Sequence, residues 1–316
     1  MPTSTATNLI PSPLPIGHKS GELMSAKNPP LRPARLFVLL AREAPVGVIL
    51  RRGPKDWVQM IKWHTDTDKF EAGQWLRGEV SEYSGDLSPD GKLLLYDFFH
   101  KRLANALEMQ KLKTDKILGY LAVSKPPYFT ALALWEYMAI PDGQFINNST
   151  IRFYDYRGWH PTRTVPQLNI DIQPYEGDPI YQWVPNKDIF MVNQGWQTVQ
   201  IGKYAMGKFD PPYIWSKSSV DFVLNTSYAL YESGQKQGGS HNQFTYSISM
   251  DEGKTQTVLK GVNWADFDQQ GRLVLAKHGK LFSGAFDNGD LKLTELADFN
   301  ANKPDPQPAP DWAQKW

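Results

Sequence analysis

The sequence of 316 residues carries 34 Lys and Arg against 33 Asp and Glu, and this net charge of +1 gives no support to a protein-wide nucleic-acid surface. Cysteine is absent, which excludes disulfide bonds, thiolate zinc sites and a cysteine nucleophile. An aromatic fraction of 13%, together with 24 Gly and 24 Pro, favours many short strands joined by turns.

Residues 1–33 are rich in Pro, Ser and Thr and are predicted to be a flexible leader, because they hold too little apolar surface to offset the entropy of ordering. They lack the basic start and the apolar core of about 7–15 residues that a secretion signal needs. No apolar run in the sequence reaches the roughly 18 residues of a membrane helix. We therefore expect a cytoplasmic protein without a membrane span.

Residues 34–299 are predicted to form one β-rich domain. Strands at 35–41, 46–52 and 57–63 are joined by short loops, which is typical of an antiparallel meander. Residues 101–117 contain good helix formers without Gly or Pro and predict a helix or an exposed long loop. Later apolar or alternating runs predict further strands, among them 118–123, 128–135, 144–156, 181–184, 188–192, 196–204, 220–224, 243–249, 261–268, 272–277, 280–286 and 291–296.

The C-terminal residues 300–316 form a Pro-rich tail. We expect this end to be flexible like the leader, with Trp312 and Trp316 as short anchors.

Three similar turns divide the domain: Ser88-Pro-Asp-Gly91, Ile140-Pro-Asp-Gly143 and Asp268-Gln-Gln-Gly271. Proline presets φ in such turns, and glycine takes the positive φ that other residues resist. The glycine spacings are 143 − 91 = 52 and 271 − 143 = 128, and two degenerate units in the second gap would give a mean of roughly 45 residues, the length of one propeller blade. The sequence therefore predicts an all-β, single β-propeller-like domain of five or six blades, with a pair of β-sandwiches as the alternative. The turn residues singled out here are Asp90, Gly91, Asp142, Gly143 and Gly271.

Two motifs carry a family resemblance. Ser88-Pro-Asp-Gly-Lys92 resembles the WD-like repeat of bacterial tolerance-protein-type propellers, and residues 264–276 are similar in shape. Ser249-Met-Asp251-Glu-Gly253-Lys-Thr255 resembles the Asp-box of sialidase-like propellers, although Gln256 stands where that motif has an aromatic residue. The resemblance implies a hairpin turn in which Asp251 binds turn amides and Gly253 takes positive φ, away from any catalytic centre.

Asn288-Gly289 is the strongest short hairpin signal in the chain. It predicts a tight turn between two strands close to the end of the domain.

A cluster of arginine and aromatic residues between 152 and 163 is the best enzyme lead. A sialidase-like site needs arginines for a substrate carboxylate and a tyrosine nucleophile with a carboxylate partner. The alternative is an aromatic strand flanked by surface arginines, which we favour. The candidate binding residues are Arg152, Tyr154, Tyr156, Arg157, Trp159 and Arg163.

Two groups of acidic residues give weaker indications of a metal site or of acid–base catalysis. His64, Asp66 and Asp68 lack the spacing of an EF-hand, so a solvated loop is favoured over a metal site. Asp266 and Asp268 lie on one face of a strand and would suit acid–base chemistry, but capping of a turn is the favoured interpretation.

The sequence has no nucleophile elbow, phosphate-binding loop or dinucleotide fingerprint. No catalytic residue, metal or cofactor is therefore assigned. Two functions remain: a non-enzymatic interaction module that binds a protein partner through its end faces and loops, or a glycan-binding or glycoside-hydrolysing (sialidase-like) propeller.

Overall fold

Five β-sheets of three to five strands make up most of the protein in a computed structural model. The structure describes residues 32–99, 119–137, 143–153, 161, 163–165, 169–174, 183–205, 208–209, 211–230, 242–250 and 256–316. All five sheets lie within residues 33–316, which form one unit. The predicted leader, except residues 32 and 33, and the predicted helix or loop at 101–117 lie outside the described residues.

The first two sheets are built almost entirely from consecutive strands. Blade 1 has the order β1 (Arg35–Leu40), β2 (Val46–Arg52), β3 (Trp57–His64) and β4 (Lys69–Arg77). Blade 2 has the order β5 (Glu79–Leu87), β6 (Leu94–Phe99), β7 (Gly119–Ser124), β8 (Ala131–Tyr137) and β11 (Arg163–Thr164). Only Gly78 separates β4 from β5, so the chain passes directly from the last strand of one blade to the first of the next.

The remaining three sheets complete the domain. Blade 3 has the order β9 (Gly143–Asn147), β10 (Thr150–Phe153) and β12 (Asp171–Pro174), with β12 parallel to β10. Blade 4 has the order β13 (Gln197–Gln200), β16 (Tyr213–Ser218), β17 (Val223–Leu230), β18 (Asn242–Ser249) and β19 (Thr257–Val258), and a small hairpin of β14 (Tyr204–Ala205) and β15 (Lys208–Phe209) interrupts it. Blade 5 has the order β20 (Val262–Phe267), β21 (Leu273–Lys277), β22 (Lys280–Asp287) and β23 (Asp290–Asp298).

Contacts between neighbouring blades bring the sheets into a ring. β1 packs against β5 on one side and against β20 and β21 on the other, and β5 also packs against β9. β18 lies beside β20, and a helix, α1 (Trp183–Asn193), packs against both β5 and β13. The protein is thus a five-bladed β-propeller. This confirms the propeller prediction, with five rather than six blades, and the paired sandwich is wrong.

Hydrophobic side chains fill the spaces between neighbouring blades. One cluster joins blades 1, 2 and 5, a second joins blades 4 and 5, and a third joins blades 2 and 3. Each holds a tryptophan almost fully removed from water, namely Trp63, Trp215 and Trp135. Aromatic residues are therefore abundant because flat, large side chains cover the facing surfaces of packed sheets.

Helix α1 corrects the prediction of strands at 181–184 and 188–192. Short apolar runs do not distinguish a strand from a buried helix, and Pro185 falls in the first turn, where a missing N–H costs little. The helix ends at Asn193, and Gly195 after it has φ +83°. The amide of Gly195 donates to Val192 O and that of Trp196 to Met191 O, a Schellman termination.

Three of the predicted turns lie between strands. Gly91 (φ +72°) and Gly271 (φ +75°) occupy the β5–β6 and β20–β21 turns, and Asn288 (φ +50°) with Gly289 (φ +87°) forms the β22–β23 turn. Gly143 is instead the first residue of β9, where an added Cβ would meet the Phe153 ring at 2.7 Å. Asp142, Asp251 and Gly253 lie outside the described residues.

Side chains close the ring between blades 5 and 1, which exchange no strand. The Arg272 guanidinium lies 2.8 and 3.0 Å from the two carboxylate oxygens of Asp68 in the β3–β4 turn, 2.7 Å from Asp268, and 2.8 Å from Thr65 O. Gln269 donates to Ala41 O at 2.7 Å and accepts from the Thr65 hydroxyl at 2.7 Å.

The C-terminal segment, residues 299–316, is packed along the domain, which differs from the flexible tail predicted. Asn300 Oδ1 accepts from Ala34 N, and Gln307 O accepts from the Gln74 side chain on blade 1. The Trp312 ring meets Tyr128 of blade 2 edge to face at 5.5 Å, and Trp316 packs against the cluster between blades 2 and 3. Both tryptophans therefore anchor this segment.

We expect Arg272→Met to lower the free energy of unfolding by about 2 kcal/mol, because it leaves Asp68 and the buried Asp268 without their shared cation. Urea denaturation followed by tryptophan fluorescence measures this change. Lys280→Met, which breaks exposed pairs with Glu295 and Asp298, is the matched control and should change the stability much less. Equal midpoints for the two variants would contradict the role given to Arg272.

Candidate functional site

A buried carboxylate stands near the end of β5. Asp86 is 1% exposed, and its Oδ1 accepts from Arg42 Nη1 at 3.1 Å and from Gln194 Nε2 at 3.0 Å. The amide of Phe145 in β9 donates to Oδ2 at 2.9 Å, and Arg42 Nη2 donates to the carbonyl of the same phenylalanine at 2.9 Å. Asp86 thus joins the β1–β2 connection, blade 2, blade 3 and the residue that follows α1.

A second buried carboxylate occupies the corresponding place in β20. Lys217 Nζ, from β16, lies 2.6 Å from Asp266 Oδ1, and Trp196 Nε1 donates to Oδ2 at 3.4 Å. The ammonium of Lys217 also donates to Gln194 O at 2.7 Å. It lies 5.9 Å from the Trp196 ring centre, within reach of a cation–π interaction.

Gln194 connects the two carboxylates. Its side chain donates to Asp86 and its carbonyl accepts from Lys217, so one continuous set of polar contacts runs through all five blades. The Schellman turn at Gly195 fixes the backbone of Gln194 and allows both contacts at once. We name this set the central network; its side chains are Arg42, Asp86, Gln194, Trp196, Lys217 and Asp266.

Burial raises the pKa of both carboxyl groups, and the neighbouring cations oppose the shift. For Asp86 the opposition comes from Arg42 and from the amides of Phe145 and Leu87. For Asp266 it comes mainly from Lys217. Either carboxylate would have to leave its cation before acting on a ligand, so the arrangement is suited to holding the blades in register.

Further charged groups lie beside the central network. Arg52 Nε lies 3.2 Å from Glu82 and its Nη1 3.8 Å from Glu79, both in β5. Burial raises the pKa of the Tyr246 hydroxyl, and the negative charges of Asp266 and Glu82 raise it further. Burial and the two neighbouring carboxylates therefore keep the Tyr246 hydroxyl protonated.

The β5–β6 and β20–β21 turns share the same arrangement, with a buried aspartate at the end of the preceding strand. Asp86 precedes Ser88 by two residues, just as Asp266 precedes Asp268. Asp268 accepts from the amides of Gln270 and Arg272, which agrees with the turn cap favoured by the sequence. Asp86 was not among the residues predicted from the sequence, although alignment of the β5–β6 and β20–β21 segments places it opposite Asp266.

The β1–β2, β5–β6, β9–β10 and β20–β21 connections meet at one end of the propeller together with the β3–β4, β16–β17 and β22–β23 turns, and we name this end the end face. Glu43 N donates to Pro89 O at 2.8 Å, and Asp90 N donates to Asn148 Oδ1 at 2.8 Å. Phe222, in the β16–β17 turn, stacks on Phe286, next to the β22–β23 turn, with ring centres 5.1 Å apart. The turns of blades 1 to 5 thus form a continuous surface.

Apolar side chains are unusually exposed at the blade 4 side of this end face. Val220, in the β16–β17 turn, is 100% exposed. Met250 directly follows β18, whose last residue pairs with Val223, so it lies at the same end of the sheet. Of the nine large hydrophobic residues exposed within the described part of the chain, four lie on or beside the end face: Ile146, Val220, Met250 and Val258.

The structure separates the described members of the predicted arginine and aromatic cluster. Arg152 is in β10 of blade 3, paired with Gln144 and Gln173, whereas the backbone of Arg163 is in β11 of blade 2, paired with Leu134. Tyr154, Tyr156, Arg157 and Trp159 lie outside the described residues. A site at 152–163 stays a prediction.

Two members of the predicted group His64, Asp66 and Asp68 are engaged by other residues. His64 contacts Glu71, and Asp68 accepts from Trp63 Nε1 at 3.1 Å as well as from Arg272. Hydrogen bonding to Arg272 lowers the pKa of Asp68. Among the residues that the structure describes, no three His, Asp or Glu side chains are gathered as metal ligands. In the same residues no helix is long and apolar enough to span a membrane.

No protein-family model and no curated protein matches this chain. Similar solved structures include the GH43 protein BlXynB from Bacillus licheniformis and a mutant of it, each 10% identical over 92% of this chain, with TM-scores of 0.29 and 0.34. This chain covers 60% of the length of either. The β-propeller domain of the Trilobed protease from Pyrococcus furiosus is 10% identical, with 82% of this chain and 84% of that one covered and a TM-score of 0.24. These similarities assign no activity to this chain.

We expect Lys217→Met to lower the free energy of unfolding by about 3 kcal/mol at pH 8 and by less at pH 5. Without its cation, Asp266 has a still higher pKa in the folded state. A raised pKa contributes stability below the unfolded value, which is lost as the pH rises through the folded one. Urea denaturation at the two pH values measures the difference.

The double variant Lys217→Met, Asp266→Asn removes both charges and tests the same interaction. It should be more stable at pH 8 than Lys217→Met alone and should lose the added pH dependence. If the single variant lost equal stability at both pH values, the ion pair would not be the cause.

Proposed function

We propose that the protein is a non-enzymatic interaction module that binds a protein partner through the end face. The observation that carries the proposal is the exposure of Val220, Met250 and Val258 around one end of blade 4. Solvent-exposed side chains of this kind gain free energy when a partner covers them. Grouped exposed apolar residues are characteristic of protein-binding surfaces, whereas isolated ones are common everywhere.

The turns of the end face also suit binding. They are tied to one another by Glu43–Pro89 and Asp90–Asn148, and to the sheets below by the central network. A surface that is already ordered loses little conformational entropy when a partner binds. The strands therefore provide a rigid support, and the turns provide the side chains that differ from blade to blade.

The glycan alternative has less support among the described residues. It rests on the arginine and aromatic cluster at 152–163, whose described backbone positions lie in two different sheets. The buried carboxylates Asp86 and Asp266 are each ion-paired within the propeller. A protein-binding end face therefore explains more of what is exposed.

We expect Val220→Asp to abolish capture of a specific partner, because it places a charge at the centre of the exposed apolar group. Affinity purification with the tagged full-length protein, quantified by mass spectrometry, compares this variant with the wild type. The matched control is Leu293→Asp, which alters an exposed leucine on β23, the edge strand of blade 5. Partners that both variants retain equally, or no reproducible partner of the wild type, would contradict the proposal.

A further inference from the structure

The end face combines its apolar side chains with exposed carboxylates. Asp221 directly follows Val220 in the β16–β17 turn, and Asp287 directly follows Phe286, whose ring stacks on Phe222. Two carboxylates thus border the exposed apolar group through a contact that joins blades 4 and 5. Both are exposed, so neither contributes to the core of the propeller.

Two further connections of the end face each carry an exposed carboxylate. Glu43 lies in the β1–β2 connection and Asp66 in the β3–β4 turn, both exposed. Within the described residues none of the four, Glu43, Asp66, Asp221 and Asp287, forms an ion pair. Exposed lysines also stand beside these turns: Lys69 begins β4 directly after the β3–β4 turn, Lys92 Nζ lies 2.9 Å from Asp90, and Lys292 Nζ lies 3.7 Å from Asp290.

We infer that the end face recognises a positively charged, apolar segment of a partner protein; this inference rests on the proposed function. Apolar residues of that segment cover Val220 and Met250, and its Lys or Arg side chains lie against Asp221 and Asp287. Charge complementarity determines the partner class, because the carboxylates repel anionic lipid headgroups and nucleic-acid phosphates. Exposed carboxylates add specificity and speed of association, while the apolar contacts supply most of the affinity.

Selection from a displayed library of random peptides tests the sign of the charge directly. The full-length wild-type protein is immobilised, and the selected peptides are synthesised and their Kd measured by fluorescence anisotropy. Val220→Asp should abolish their binding. We expect them to combine Lys or Arg with apolar residues, and we expect their Kd to rise with salt, since exposed charges are screened within about 10 Å at 0.1 M.

The double variant Asp221→Lys, Asp287→Lys should weaken binding of these peptides by roughly tenfold or more, since it replaces attraction with repulsion. Asp305→Lys, at an exposed position of the C-terminal segment, is the matched control and should leave the Kd unchanged. Reshuffled peptides of the same composition should bind more weakly than the selected ones, and vesicles of anionic lipid should not bind.

The outcomes separate the two proposals. Selected peptides that are acidic or uncharged, yet lose binding to Val220→Asp, would overturn the charge inference and leave the interaction module standing. Binding of anionic vesicles, or equal binding of reshuffled peptides, would likewise overturn the charge inference. Peptides that bind Val220→Asp as well as the wild type would overturn the end face as the binding surface.

Discussion

The removal of two carboxylates from water is the constraint on which the ring depends. Asp86 and Asp266 stand near the ends of β5 and β20, and neither has a cation on its own strand to compensate it. Arg42 comes from blade 1 and Lys217 from blade 4, so each charge is satisfied only when neighbouring blades are in place. Because an unpaired buried charge costs several kcal/mol, packing of the blades and pairing of the charges stabilise each other.

Polar side chains that pair across blades also close the ring between blades 1 and 5, with different residues. Blades 1 and 5 contain only their own consecutive strands, so no shared sheet joins the two ends of the ring. Arg272 and Gln269 bind the turns of blade 1, and the segment after β23 continues along blades 1 and 2 as far as Trp316. The closure therefore combines directional polar contacts with the apolar anchoring of tryptophan side chains.

The sequence was informative where structure is local. The Pro-Asp-Gly turn at Gly91 and the Asn-Gly turn at Gly289 predicted hairpins from four residues each, and repeated turns indicated a propeller. Helix α1 was missed because its apolar residues fit either period, and the Schellman turn that ends it depends on contacts with the core. The Asp86–Gln194 contact spans 108 residues, so no local pattern indicates it.

The central network and the end face use different residues, so the propeller has separate regions for stability and for binding. The central network uses buried or half-buried side chains from β5, β16, β20, the β1–β2 connection and the residues that follow α1, and each is already paired. The end face uses turn residues such as Val220 and Asp221, which contribute little to the core because water surrounds them. Turns tolerate substitution better than the strands they join, so a propeller of this kind can change its partner without losing its ring. The internal pairing of Asp86 and Asp266 thus makes the five-bladed ring a support, and the charge and apolar character of the turns determine what it binds.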